Sequence, residues 1–189
     1  MSRILSEEII NLITALHQKQ IIAYPTESVF GLGCDPDSVT AIKALLKLKK
    51  RSWEKGFILV AAHYSQLKKY VDDDMLDFVT RQKIFSSWPG PVTWVLPASK
   101  ALSPLLTGRY TSLAVRVSAF GPIKQLCLAF GKPIISTSAN LTGYQPARDV
   151  NGVYKQLGAN FLVMNEEVEG RLNPSEIRDA LSGKLIRYG

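Results

Sequence analysis

The stretch IIAYPTESVFGLGCDPDSVTAIKALLKLKK, residues 21–50, changes character halfway along. It begins with an apolar run, Ile21 to Tyr24, that reads as a buried strand and stops at Pro25, which has no amide proton to give to a sheet ladder. After a polar exit at Thr26 and Glu27 come Gly31 and Gly33, a pattern that predicts tight backbone turns. Asp35, Pro36, Asp37 and Ser38 then supply helix-start chemistry. From Val39 to about Lys50 the period becomes helical, with Ile42, Leu45 and Leu46 on one face and Lys43, Lys47 and Lys50 on the other. A buried strand followed by an amphipathic helix is the repeating element of α/β and α+β proteins.

The same alternation continues on both sides. Upstream, Ser6 caps a helix whose apolar residues are Ile9, Ile10, Leu12, Ile13 and Leu16. Downstream, strands are predicted at Phe57 to Ala61, Val92 to Leu96, Leu113 to Val117, Pro133 to Ser136, Phe161 to Met164 and Lys184 to Tyr188. Helices are predicted at Asp74 to Ser86, Pro122 to Phe130, Val150 to Leu157 and Ser175 to Leu181, the last from the cap, N1 proline and capping-box acid at Asn173, Pro174 and Glu176. Some strands follow one another with little helix between them. The expectation is therefore an α/β (α+β) fold, a single mixed parallel and antiparallel sheet with flanking helices, in one domain over residues 1–189.

Composition sets outer limits. With 189 residues, 46% hydrophobic and 21% charged, the chain can bury a sizeable core and is not a disordered polymer. No apolar run approaches the ~20 residues of a membrane span, and residues 1–8 lack a basic and then apolar leader, so a cytoplasmic protein is expected. Cys34 and Cys127 stand far apart without metal-ligand spacing. The net charge of +7 is confined to Ala41–Tyr70, where eight lysines and arginines face one acid, Glu54. That stretch reads either as a solvated helix face or as a site for phosphates or nucleic acid.

Familiar catalytic signatures are missing. There is no GxxxxGK[ST], GxGxxG or GxSxG pattern, and His17 and His63 are the only histidines, which disfavours a Ser-His-Asp enzyme and a histidine-ligated metal. Chemistry must then come from polar residues at strand ends, where open sheets build their sites. Five groups qualify: Thr26 and Glu27; Lys49, Lys50, Arg51 and Lys55; Arg116 within SLAVRVS; Ser136, Thr137, Ser138 and Asn140 within STSANLTG; and Arg187 in LIRYG. Each has a plain structural reading as a turn, a helix end or a solvated strand. Clustered cations repel one another until an anion sits between them, and an inward Arg116 needs a carboxylate or phosphate.

In this order, YPTES with GLG, the KxR at Lys49 and Arg51, KGFILV, WPGPVT, LAVRV, STSAN with TG and the terminal IRYG resemble the YrdC/TsaC family of threonylcarbamoyl-AMP synthases, in its short single-domain bacterial form. The resemblance implies a twisted sheet around a deep basic cavity. It also implies a nucleotidyltransferase reaction joining L-threonine, bicarbonate or CO2, and ATP into threonylcarbamoyl-AMP and pyrophosphate. A downstream transferase assembly of the TsaD-TsaB-TsaE type would then modify adenosine 37 of tRNA. Carried onto this sequence, the family's threonine positions are Thr26, Val60 (through its backbone), Arg116, Ser136 and Ser175. Its ATP positions are Lys49, Arg51, Lys55, Ser112, Ser138, Asn140, Pro146 and Arg187, with Lys49 and Arg51 as the catalytic pair. Mg2+ is expected on the ATP phosphates, with no protein-held metal.

Two rival readings remain at this point. One is a non-catalytic factor binding double-stranded or ribosomal RNA through Lys43 to Lys69. The other is the related carbamoyl-adenylate chemistry of hydrogenase-maturation proteins, which calls for fused domains this chain does not contain.

Overall fold

The computed structural model describes residues 5–189; residues 1–4, part of the stretch read for a leader, lie outside the described residues. In chain order the elements are α1 (Glu7–His17), β1 (Ile22–Pro25), β2 (Phe30–Gly33), α2 (Val39–Lys49), β3 (Ile58–Ala61), α3 (Phe78–Ser86), β4 (Val92–Pro97), α4 (Pro104–Thr107), β5 (Ser112–Val117), α5 (Gly121–Phe130), β6 (Ile134–Ser138), α6 (Val150–Leu157), β7 (Glu176–Asp179) and β8 (Leu185–Arg187). The strands form one eight-stranded sheet in the order β1-β2-β6-β3-β5-β4-β7-β8. Only β3 with β5 and β4 with β7 run parallel; the other neighbours are antiparallel. The expected mixed sheet is thus present.

Helix starts follow their caps. Ser6 accepts from Ile9 N, Ser38 from Ala41 N, Asp77 from Thr80 N and Asp149 from Gly152 N. Packing follows the two-residue period of the strands. Leu59 and Ala61 on β3, Leu113, Val115 and Val117 on β5, and Ile135 on β6 join the core that contains Ala41, Ile42 and Leu45 of α2, Ile84 of α3, Leu106 of α4 and Val153 of α6. On the opposite face, Ile22, Tyr24, Val60 and Ile134 pack against Ile9, Leu12 and Leu16 of α1 and Ile123, Leu126 and Phe130 of α5. Those two helices cover only part of that face. Further along the same rows come Ile58, Ala114, Arg116, Ser136 and Ser138, which line a cavity instead.

Three expectations are corrected. The segment after Pro25, expected to make tight turns at Gly31 and Gly33, is a hairpin in which both glycines lie within β2: Phe30 pairs with Pro25 and Gly33 with Ile22. Gly31 and Gly33 serve close approach, since a Cβ on Gly33 would stand 2.7 Å from both the Ile135 carbonyl oxygen and the Tyr24 ring. Residues 175–181 do not form a helix; Glu176–Asp179 is β7, laid parallel to β4, because a sheet ladder outweighs the local capping signal. Phe161 to Met164 is not a full strand but contacts the β1 edge through one bridge, Ala23 to Val163. Among the described residues no helix is long and apolar enough to cross a membrane.

Candidate functional site

The cavity on the uncovered sheet face has a volume of about 580 Å³, within the range of small-molecule sites. Nine of the thirteen residues expected at a site line it: Thr26, Arg51, Lys55, Ser112, Arg116, Ser136, Ser138, Ser175 and Arg187. They come from opposite ends of the sequence because β5 and β6 flank β3 at the middle of the sheet, while the β1–β2 turn and β8 close the sides. The wall carries four cations, Arg51, Lys55, Arg116 and Arg187, and two carboxylates, Glu27 and Asp179.

Lys49, Asn140, Val60 and Pro146 do not line the cavity. Lys49 is buried, and its ammonium donates to the Ser138 carbonyl at 2.6 Å, the Asn140 carbonyl at 2.9 Å and Asn140 Oδ1 at 3.2 Å. Ser138 Oγ donates to the same Asn140 Oδ1 at 2.6 Å. Lys49, Ser138 and Asn140 therefore meet as expected, but Lys49 spends its three donors on the strand end instead of pointing them into the space. Burial, then the neighbouring Arg51, push its pKa down to about 8. Val60 packs its side chain in the core beneath α5, and the Cys127 thiol meets its carbonyl oxygen.

Arg51 is held by an Nη2 bond to the Gly56 carbonyl at 2.9 Å and lies over the Phe57 ring, 5.4 Å from the centroid. Its Nε is buried without a partner among the described residues. Burial lowers the Arg51 pKa from its ordinary value, and burial followed by the charge of Arg116 does the same for Arg187. Arg187 donates to the Ser175 carbonyl from Nε at 3.2 Å and from Nη2 at 2.7 Å. The Ser175 hydroxyl lies 2.9 Å from Thr93 Oγ1, so Ser175 joins β4 to β8 at the cavity side.

Arg116 is inward, as its position in an otherwise apolar strand requires if it has a partner. That partner is Glu27, which sequence reasoning placed at the strand exit but gave no role. Arg116 Nη1 pairs with Glu27 Oε1, and Ser118 Oγ donates to the same oxygen at 2.7 Å. Burial alone would raise the Glu27 pKa, but the Arg116 charge and the bonds from Arg116 and Ser118 outweigh it and hold the carboxyl below the usual range. Arg116 Nε, like that of Arg51, is buried without a partner among the described residues. Most buried donors are paired, so each of these asks for an explanation, and a bound anion supplies one. The pairing was foreshadowed by Thr26 and Glu27 lying on the exit of β1, and Ile58 and Ala114 by sharing the parity of Val60 and Arg116.

His17 packs at a tilt against Phe130, with ring centroids 5.0 Å apart, away from the cavity lining. No group of three or more His, Cys, Asp or Glu residues stands together to hold a metal among the described residues.

Comparison with known proteins agrees with this arrangement. A family model for Sua5/YciO/YrdC domains, described as "Telomere recombination", matches residues 14–189. A Sodalis glossinidius protein named threonylcarbamoyl-AMP synthase is 65% identical over 184 residues, covering 97% of each chain. The structure of P. abyssi Sua5 complexed with L-threonine superposes with a TM-score of 0.82 at 26% identity, over 93% of this chain. This chain spans about half of that one, 52%. The structure of E. coli YciO gives a TM-score of 0.77 at 22% identity, over 90% of this chain and 82% of that one, and shows the shared fold. With the family model matched almost end to end and the same sheet in these solved structures, the chain belongs to the Sua5/YciO/YrdC family.

Proposed function

We propose that this chain is an L-threonylcarbamoyladenylate synthase, a nucleotidyltransferase that condenses L-threonine, CO2 or bicarbonate, and ATP with release of pyrophosphate. The observation that carries the reading is the cavity's division of labour: Arg51, Lys55 and Arg187 bring unneutralised positive charge, while Arg116 stands beside them already paired with Glu27. The first group suits a polyphosphate and the second an amino acid. The similarity to a synthase at 65% identity and to a threonine-bound Sua5 supports the same assignment.

In this reading the triphosphate lies against Arg51, Lys55, Arg187 and the hydroxyls of Ser112 and Ser138. Lys49 and Asn140 act from behind the wall by fixing the Ser138 strand end. The turn around Pro146 is on the nucleotide side. Threonine lies against Thr26, Ser136, Arg116 and Ser175, with Val60 contributing backbone beneath them. The threonine amine, once deprotonated, attacks CO2, and the resulting carbamate oxygen attacks the α-phosphorus as pyrophosphate leaves. Neither step requires a protein nucleophile, so positioning and charge neutralisation supply the catalysis. Each carboxylate on the wall has one oxygen engaged, Glu27 Oε1 by Arg116 and Ser118, and Asp179 Oδ1 by Ser182. Magnesium would come with the nucleotide, as a counter-ion to its phosphates.

The proposal includes one domain over residues 1–189, a cytoplasmic location and a downstream TsaD-TsaB-TsaE-type assembly that carries the product to tRNA. Direct RNA binding is disfavoured by the placement of the basic stretch: Lys49, Arg51 and Lys55 belong to the site or its support, and Lys69 is tied to Asp37 at 2.8 Å. Pyrophosphate release from ATP should require both threonine and bicarbonate. Release independent of threonine, or none at all, would overturn the reading.

A further inference from the structure

We infer that Glu27 binds the substrate's ammonium group, so that Glu27 and Arg116 together read the two charged ends of a free α-amino acid. This rests on the synthase reading above and adds to it the residue that selects an amine-bearing substrate.

The geometry assigns separate atoms to separate tasks. Arg116 uses Nη1 for Glu27, leaving Nε and Nη2, the side edge of the guanidinium, without a hydrogen bond to any other described residue. That edge offers two parallel N–H donors, the arrangement a carboxylate takes up bidentately. Glu27 uses Oε1 for both Arg116 and Ser118, leaving Oε2 without a donor from another described residue. Both side chains line the cavity, and both are nine-tenths buried or nearly so, 6% and 10% exposed. A donor edge and an acceptor oxygen on two directly bonded residues match the carboxylate and ammonium that an α-amino acid carries on one carbon.

Charge requires an acceptor there as well. The remaining wall cations, Arg51, Lys55 and Arg187, repel an ammonium, and of the two wall carboxylates Glu27 is the one bonded directly to Arg116, whereas Asp179 stands at the end of β7 and accepts at Oδ1 from the Ser182 amide and hydroxyl, each at 2.7 Å. Glu27 is held ionised because Arg116 and Ser118 outweigh its burial, so it presents a negative charge throughout the neutral range. The β1–β2 turn that carries Glu27 is itself fixed, since Glu27 O accepts from Arg171 N at 2.8 Å and Thr26 O from Glu169 N at 3.3 Å.

The test compares L-threonine with 3-hydroxybutanoate, which keeps the carboxylate and hydroxyl but lacks the amine, using ligand-observed NMR titration of the full chain. Wild-type protein should bind threonine at least tenfold more tightly. Glu27→Gln, whose carbonyl oxygen still accepts from Arg116, should lose at least tenfold for threonine and less than threefold for 3-hydroxybutanoate. Equal losses for both would mean that Glu27 acts only by positioning Arg116, and would overturn the inference. If the variant does not fold, the wild-type comparison decides alone, with equal affinity for the two ligands refuting it. Pyrophosphate release by the wild type separates the two levels: threonine-dependent release with no discrimination sinks only this inference, whereas absence of release sinks the synthase reading.

Discussion

Removing Glu27 altogether, as in Glu27→Ala, leaves the Arg116 guanidinium charged, 6% exposed and without its counter-ion. Breaking a buried pair from one side costs about 3–5 kcal/mol, because the remaining charge stays desolvated. For a chain of this size each kcal/mol moves the melting temperature by roughly 2–4 °C, so a fall of about 6–20 °C is expected. Arg116→Met should cost a comparable amount by stranding Glu27. Combining Glu27→Ala with Arg116→Met should recover most of the loss, since neither buried charge is then left without its partner, giving a coupling energy of at least about 2 kcal/mol. The acid limb carries a second signature. The Glu27 pKa is depressed in the folded state, so the pair's stabilisation is present above the unfolded value of 4.5 and is lost as pH falls through the lower folded value. Urea denaturation between pH 3 and pH 7 on the four proteins measures all of this. A loss below about 1 kcal/mol for Glu27→Ala, or additive effects in the double variant, would refute the reasoning.

Lys49 and Gly33 supply two further tests. Lys49 has its pKa lowered to about 8, so a bound polyanion must draw a proton onto it at higher pH; ATP affinity should fall by up to about tenfold per pH unit between pH 8 and 10. Lys49→Arg, which stays charged, should flatten that slope in isothermal titration, and an unchanged slope would separate Lys49 from nucleotide binding. Gly33→Ala places a Cβ 2.7 Å from the Ile135 carbonyl and from the Tyr24 ring, so it should destabilise the protein by about 1–3 kcal/mol in urea, where a neutral effect would show that the hairpin can shift.

What the sequence conveyed depended on how local its cause was. Helices α1, α2, α5 and α6 could be read because periodicity and capping residues lie within a few positions of each other. Strands β3, β4 and β5 were legible from their apolar or alternating runs. Strands β2 and β7 were not: Gly31 and Gly33 signal turns until Tyr24 is known to lie over them, and Glu176 signals a helix until β4 is known to lie beside it. At the cavity the position of Arg116 within SLAVRVS left an inward and a solvated charge both open, and the partner that decides between them lies 89 residues away. The Lys49 ammonium shows the opposite limit. Its place in a basic cluster suggested a phosphate ligand, whereas the fold brings two carbonyl oxygens and the Asn140 side chain to it from β6 and the residues just beyond.

The central claim is that one cavity joins an amino acid, CO2 and a nucleotide. Mass spectrometry of the product formed from ATP, L-threonine and ¹³C-bicarbonate tests it most directly. The account predicts an adenylate carrying both threonine and one labelled carbon, formed together with pyrophosphate. Unlabelled threonyl-adenylate, or no nucleotide adduct while the folded protein binds RNA, would contradict it.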